Sequence, residues 1–108
     1  SGLSAELWVS ALPVIPGARE SIAAGIVPGA TGRNLAHYQA HWGEGVTDLD
    51  RKLVADPQTS GGLLLAVSND KLGALQDSLS RHGALCGTVV GRLVAVGSGP
   101  RVSVFSQP

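Results

Sequence analysis

The 108-residue sequence contains no methionine, one cysteine and few aromatic residues, which make up 4% of the chain. A lone Cys86 cannot form an internal disulfide, which argues against a disulfide-stabilised secreted domain and against a cysteine zinc site. This cysteine usage favours a reducing, cytoplasmic setting. Because aromatic residues are scarce, Leu, Val, Ala and Ile must form the core. Since no methionine begins the chain, we expect it to be a piece of a longer protein.

The sequence also lacks an excess of either charge and any long apolar run. Eight basic and eight acidic residues give a formal net charge of zero, so we expect no nucleic-acid partner. No apolar run approaches the ~18 residues that a membrane-spanning helix needs. Residues 1–6 have neither the basic start nor the apolar stretch of a signal peptide. We therefore expect a soluble protein with no membrane partner.

Glycine and proline divide the chain into short elements. Apolar spacing and turn signals predict helices over 17–24 and 33–42, a helical turn after Thr47, and a longer helix from Ser68–Asp70 to Gly83. Short apolar and β-branched runs predict strands at 5–9, 63–67, 85–90, 93–96 and 102–105. The predicted fold class is α+β in α/β layers, a mixed sheet of about four strands packed by helices.

The run of five apolar residues at 63–67 carries a sharper prediction, a central strand covered on both faces. Cys86 lies in a similar apolar, glycine-rich region. We expect it to be a small core residue, not a nucleophile.

The loop Asp56–Gly62 is the most informative polar segment. Small side chains, free backbone N–H groups and one carboxylate could hold a phosphate or a polar surface. No lysine follows its glycines and a predicted strand comes next, so it is not a Walker loop. The alternative, that Pro57 and the glycines only let the chain turn sharply, stays open.

A second glycine-bearing loop, Gly29–Asn34, opens a predicted helix. Its N–H groups and the Arg33 guanidinium could meet an anion, or Thr31 could act only as a helix cap. His37 and His41 have metal-ligand spacing on that helix but no glutamate or cysteine partner, so we expect no metal site. No base stands beside a nucleophile, and no complete catalytic set is present.

The string LVADPQTSGGLLLAV at residues 53–67 resembles the C-terminal domain of selenophosphate synthetase, also called selenide, water dikinase, and its DPQTSGG core is specific. Other enzymes of that architecture, such as aminoimidazole ribonucleotide synthetase, resemble it more loosely. Residues 29–34 are similar to the family's glycine-glycine-threonine-x-arginine-asparagine motif. Ala30 replaces the second glycine and restricts the backbone there. Residues 1–13 and 16–18 also resemble the family, so the likeness covers essentially the whole chain.

The resemblance implies a parent enzyme that uses ATP, magnesium, selenide and water to make selenophosphate, AMP and phosphate. Its reactive cysteine or selenocysteine, the partner lysine and the metal-binding aspartates lie upstream. Residues 1–108 would then form a single, truncated C-terminal domain of a two-domain enzyme. We expect this piece to hold no catalytic residue, no metal and no tightly bound cofactor, and to be inactive alone. Its partner would be the N-terminal ATP-binding domain, in a homodimeric parent.

The same resemblance implies that both loops line or support the active-site cleft. The expected cleft or interface residues are Asp56, Pro57, Gln58, Thr59, Ser60, Gly61, Gly62, Gly29, Thr31, Arg33 and Asn34. Two other functions stay open. One is another ATP-dependent enzyme of the superfamily with a different acceptor, and the other is a non-catalytic interaction or dimerisation module that exposes apolar surface.

Overall fold

The structure is a computed structural model that describes residues 2–108. Within these residues, two pairs of helices are inserted between the strands of one mixed sheet, which confirms the predicted α+β class. A short 3-10 turn, Val9–Ala11, follows the first strand. The strands are β1 (Leu3–Trp8), β2 (His41–Trp42), β3 (Gly91–Ala95) and β4 (Val102–Phe105), and the helices are α1 (Ala18–Ala23), α2 (Gly29–His37), α3 (Asp48–Val54) and α4 (Asn69–Arg81).

The four strands form one mixed sheet in the order β2-β4-β1-β3. β1 is antiparallel to β3 and parallel to β4, which is parallel to β2. β4 has the predicted ends, β1 and β3 match predicted strands with shifted ends, and β2 lies where the sequence predicts a helix. The predicted mixed sheet of about four strands is thus confirmed, although β2 was not predicted to be a strand.

The core lies on one face of this sheet. Val9, Val46 and Val104 are its buried apolar residues, and Trp42 and Val54 pack against them half-buried. Val54 belongs to α3, which also contacts α1 and α2. α3 therefore packs against the core through Val54, and α1 and α2 pack against α3.

The ends of α1 and α4 follow the sequence signals. Gly25 after α1 and Gly83 after α4 have φ values of 81° and 70°, the left-handed conformation in which glycine closes helices without strain. Ser68 occupies the N-cap position of α4, but its side chain makes no capping hydrogen bond within residues 2–108. None of the helices among residues 2–108 combines the length and apolarity required to span a bilayer.

The predicted strands at 63–67 and 85–90 are not formed. Residues 61–68 have no regular secondary structure, and Leu63 and Leu64 are 89% and 72% exposed. Leu85 is fully exposed, and Cys86 is exposed too, so it is not a core residue. An apolar run indicates that its residues favour burial, but a strand also needs a neighbouring strand to pair with. Here β2 and β3 form the outer edges of the sheet, and neither run pairs with them.

A polar network at the start of α3 ties it to α1. Thr47 and Asp50 form a reciprocal capping box, the Thr47 hydroxyl accepting from the Asp50 amide at 3.2 Å and the Asp50 carboxylate accepting from the Thr47 amide at 3.1 Å. Arg19 of α1 donates to the same carboxylate at 2.9 Å. Burial alone would raise the pKa of Asp50, but hydrogen bonds from Arg19 and Thr47 and the Arg19 charge lower it below its ordinary value.

We expect Asp50→Asn to lower the free energy of unfolding by about 1 kcal/mol at pH 7, since it weakens both the cap and the ion pair. The sign of the pH effect follows from the lowered pKa. The charged carboxylate stabilises the fold above its ordinary pKa, and this contribution is lost as the pH falls through the lower, folded-state pKa. Urea unfolding between pH 7 and pH 2 should therefore show a weaker acid dependence in the variant.

Asp48→Asn is the matched control for this change. Asp48 is also in the first turn of α3, but its side chain is 76% exposed and pairs with Lys52 one turn away. Its replacement should cost less than ~0.5 kcal/mol. Equal effects of the two substitutions would contradict the role assigned to Asp50.

Candidate functional site

The segment Gly29–Asn34 is helical, not a loop. It forms the first two turns of α2, which begins four residues before the predicted start and ends at His37. Neither Gly29 nor Gly32 has a positive φ, so the glycines that indicated a loop sit in ordinary helix geometry. His41 begins β2, and the two histidines do not share a helix face. Ala30 fits the helix without strain, so the departure from the family motif costs nothing there.

Thr31 does not cap this helix. The N-cap is Pro28, with no side-chain cap bond, and Thr31 lies inside the first turn. Its side chain is buried at 1% exposure, and its Oγ1 has no hydrogen-bond partner among residues 2–108. A buried hydroxyl without a partner is uncommon. The burial of Thr31 could not be predicted from the composition of the motif.

Asn34 joins the two predicted loops. Its Nδ2 donates to the carbonyl oxygen of Ala55 at 2.9 Å. Ala55 is the C-cap of α3 and directly precedes Asp56. The second turn of α2 is therefore attached to the base of the loop Asp56–Gly62. Arg33, one residue earlier, is exposed.

The loop Asp56–Gly62 is half-buried at its start and exposed over the rest of its length. The Asp56 amide donates to the Leu53 carbonyl at 3.3 Å, and Asp56 and Pro57 are half-buried. Residues 58–62 are exposed. Gly61 and Gly62 have no positive φ, so a left-handed turn does not explain the glycine pair. At Gly61 a Cβ would lie 2.6 Å from Oε1 of Gln58, which indicates that the Gln58 side chain folds over this glycine.

This arrangement presents a polar loop whose base is fixed and whose tip is exposed. Thr59, Ser60 and the exposed backbone can donate and accept hydrogen bonds. Among residues 2–108 no group of three or more His, Cys, Asp or Glu side chains could hold a metal ion. Two cavities of the fold are lined by other residues. Chemically the loop can contact a ligand or another surface.

Two features of this region were not found from the sequence. The bond from Asn34 to Ala55 crosses 21 residues, and no local pattern signals it. The Arg19–Asp50 pair crosses 31 residues. Only the Thr47–Asp50 spacing of three residues, typical of a capping box, could have drawn attention to Asp50.

Comparison with known proteins places these motifs in context. No family model matches the chain. The chain is 43% identical over 104 residues to a selenide, water dikinase of Cronobacter sakazakii, covering 96% of this chain and 30% of that protein. It is 48% identical over 83 residues to that of Yersinia pseudotuberculosis, covering 77% and 24%, and 40% identical over 99 residues to that of Dechloromonas aromatica, covering 86% and 27%.

The chain thus spans about 30% or less of the length of these curated relatives. The similarity extends over most of the chain in each of them, so it is not confined to the DPQTSGG loop. The predicted resemblance is confirmed, and the chain is homologous to one segment of the selenide, water dikinase family.

Proposed function

We propose that this chain is the C-terminal part of a selenide, water dikinase, an enzyme that makes selenophosphate, AMP and phosphate from ATP, selenide and water. The observation that carries the proposal is the 43% identity over 96% of the chain. The chain's share of its relatives' length supports a role as one domain of a larger, two-domain enzyme. In that enzyme its partner is an N-terminal ATP-binding domain, and the whole is a homodimer in the cytoplasm.

In this proposal the loop Asp56–Gly62 and the first two turns of α2 line or support the active-site cleft. The bond from Asn34 to Ala55 supports a common role, because it couples the position of one motif to the other. The exposed residues 58–62 are free to contact the neighbouring domain. Asp56 and Thr59 are the residues of this loop that we expect to matter most for activity.

Magnesium and ATP belong to the parent enzyme. Residues 2–108 contain no cluster of acidic or histidine ligands that fits a magnesium ion, so no step of the reaction is assigned here to a metal held by this chain. The chain's contribution is to shape and support the cleft. We expect the isolated chain to bind ATP weakly or not at all, and micromolar affinity by calorimetry would contradict that placement of the nucleotide.

The test uses the full-length parent carrying Asp56→Ala or Thr59→Ala. Each variant should reduce ATP-dependent selenophosphate formation at least tenfold, since a misplaced cleft group costs on the order of 1.4 kcal/mol or more of transition-state stabilisation. Asp70→Ala is a matched control, an exposed aspartate at the start of α4, and should leave the rate unchanged. Wild-type kinetics in both loop variants would refute the cleft role.

A non-catalytic interaction module is the second candidate function. The exposed apolar residues of 63–67, with Leu63 at 89%, favour it for the chain in isolation, because exposed apolar patches drive association. Light scattering of the purified chain tests the interaction module separately from the proposed role in the enzyme. A strictly monomeric, folded chain would contradict the module, and selenophosphate formation by the parent would not depend on that result.

A further inference from the structure

The place where the loop Asp56–Gly62 begins is set by α3. Ala55, the C-cap of α3, directly precedes the loop, and Val54, one residue earlier, packs against the core. The Ala55 amide donates to the Arg51 carbonyl at 3.0 Å, which holds Ala55 on the last turn of the helix. The position and direction of α3 therefore decide where the loop starts.

The rest of the loop has few other attachments to the fold. The Asp56 amide still donates to the Leu53 carbonyl at 3.3 Å. Pro57 has no amide proton to donate, and no backbone hydrogen bond among residues 2–108 involves the stretch 57–67. In the described part of the chain α4, which follows, packs extensively against no other helix or strand. The loop is therefore fixed to the fold at its α3 end.

α3 is held at both ends by side chains of the two helices that precede it. At its N-terminal end, Arg19 of α1 donates to Asp50 at 2.9 Å. At its C-terminal end, the half-buried Asn34 of α2 donates from Nδ2 to the Ala55 carbonyl at 2.9 Å. The last carbonyl groups of a helix have no partner within the helix, so Asn34 supplies a donor that α3 itself lacks. Of the two contacts, that of Asn34 lies next to the loop.

We propose that Asn34 is the positioning residue of this loop. Through its bond to the Ala55 carbonyl, it places Asp56 and Thr59 in the cleft without contacting the substrate itself. This inference rests on the proposed function, in which the loop lines the cleft. The chemistry of the contact requires a side-chain donor. A carboxylate at position 34 could not donate, and it would face a carbonyl oxygen at the negative end of α3.

The test uses the full-length parent with substitutions at Asn34. Asn34→Ala should lower kcat/KM for selenophosphate formation about fivefold, because a hydrogen bond that places the loop is lost. Asn34→Asp keeps the shape of the side chain and should lower it at least as much, since the carboxylate is repelled. Asn34→Gln keeps an amide donor and should lose only about twofold. Each variant should change the same parameter, kcat or KM, that Asp56→Ala changes.

Asp50→Asn is the matched control, because it weakens the polar contact at the other end of the same helix. It should leave kcat and KM unchanged, although it destabilises α3 as the Asn34 variants do. Thermal unfolding of the parent variants checks that the losses of stability are comparable. Equal losses of activity in Asp50→Asn and Asn34→Ala would overturn the proposal, because activity would then follow the stability of α3 and not the position of the loop.

A second measurement shows whether Asn34 acts through the loop. In a parent that already carries Asp56→Ala and Thr59→Ala, adding Asn34→Ala should have little further effect, because the groups that it places are gone. A full additional loss would overturn the proposal. Wild-type kinetics in both single loop variants would refute the cleft role and the positioning with it. Reduced activity in the loop variants with wild-type kinetics in Asn34→Ala and Asn34→Asp would overturn the positioning alone.

Discussion

Gly91→Ala is expected to lower the free energy of unfolding by about 3 kcal/mol, because the position has no room for a methyl group. Gly91 pairs with Leu7 where β3 meets β1. A Cβ there would overlap the carbonyl oxygen of Glu6 and come within 3.2 Å of the Leu7 Cα. These are all backbone atoms, so no side-chain rotation can relieve the contact, and the two strands would have to separate.

Gly73→Ala is the matched control. Gly73 lies inside α4, has no positive φ, and has open space within 4 Å of the position that an alanine Cβ would take. Alanine favours a helix interior over glycine by up to about 1 kcal/mol, so this variant should be as stable as the unsubstituted chain or more so. Urea unfolding of both variants measures the difference. A loss below ~0.5 kcal/mol for Gly91→Ala would show that the strands tolerate the methyl group.

Local sequence signals predicted the parts of the fold that depend on neighbours in the chain. The α4 helix has its apolar spacing, an N-cap serine and a closing glycine within the segment Ser68–Gly83, and it forms as expected. The capping box at Thr47 and the left-handed Gly25 are equally local. In each case the interactions that decide the conformation lie within a few residues.

Predictions that depend on contacts with distant parts of the chain failed. Residues 63–67 have the composition of a central strand, but pairing is decided by strands far along the chain, and the sheet forms without them. Gly29 and Gly32 are typical of a loop, but the helix tolerates them, as its second turn is fixed by the Asn34 bond to Ala55. Glycine lowers helix propensity by only about 1 kcal/mol, which tertiary contacts can offset.

The candidate site was also predicted only in part from the sequence. The motif residues were identified from their sequence likeness, and the homology is confirmed over most of the chain. The contact between the two motifs was not identified from the sequence, because Asn34 and Ala55 are 21 residues apart. The ion pair between Glu6 and Arg92 likewise joins residues that are 86 positions apart, so only the pairing of β1 with β3 reveals it.

Val104→Ala is expected to cost about 2.5 kcal/mol of unfolding free energy. Val104 is fully buried and packs with Val9 and Val46 at the centre of the core. Removing two methyl groups loses about 0.8 kcal/mol each, and the cavity left behind adds roughly 1 kcal/mol. The backbone bond from the Gly43 amide to the Val104 carbonyl, at 2.8 Å, is unaffected by the change.

Val96→Ala provides the comparison, since Val96 is 45% exposed just beyond β3 and should lose less than ~0.5 kcal/mol. The pair also tests where the core lies. If the cluster around Val104 is the only tightly packed region among residues 2–108, the Val104 variant should unfold at a much lower urea concentration than the Val96 variant. Similar midpoints would mean that the chain is held together by contacts other than this small core.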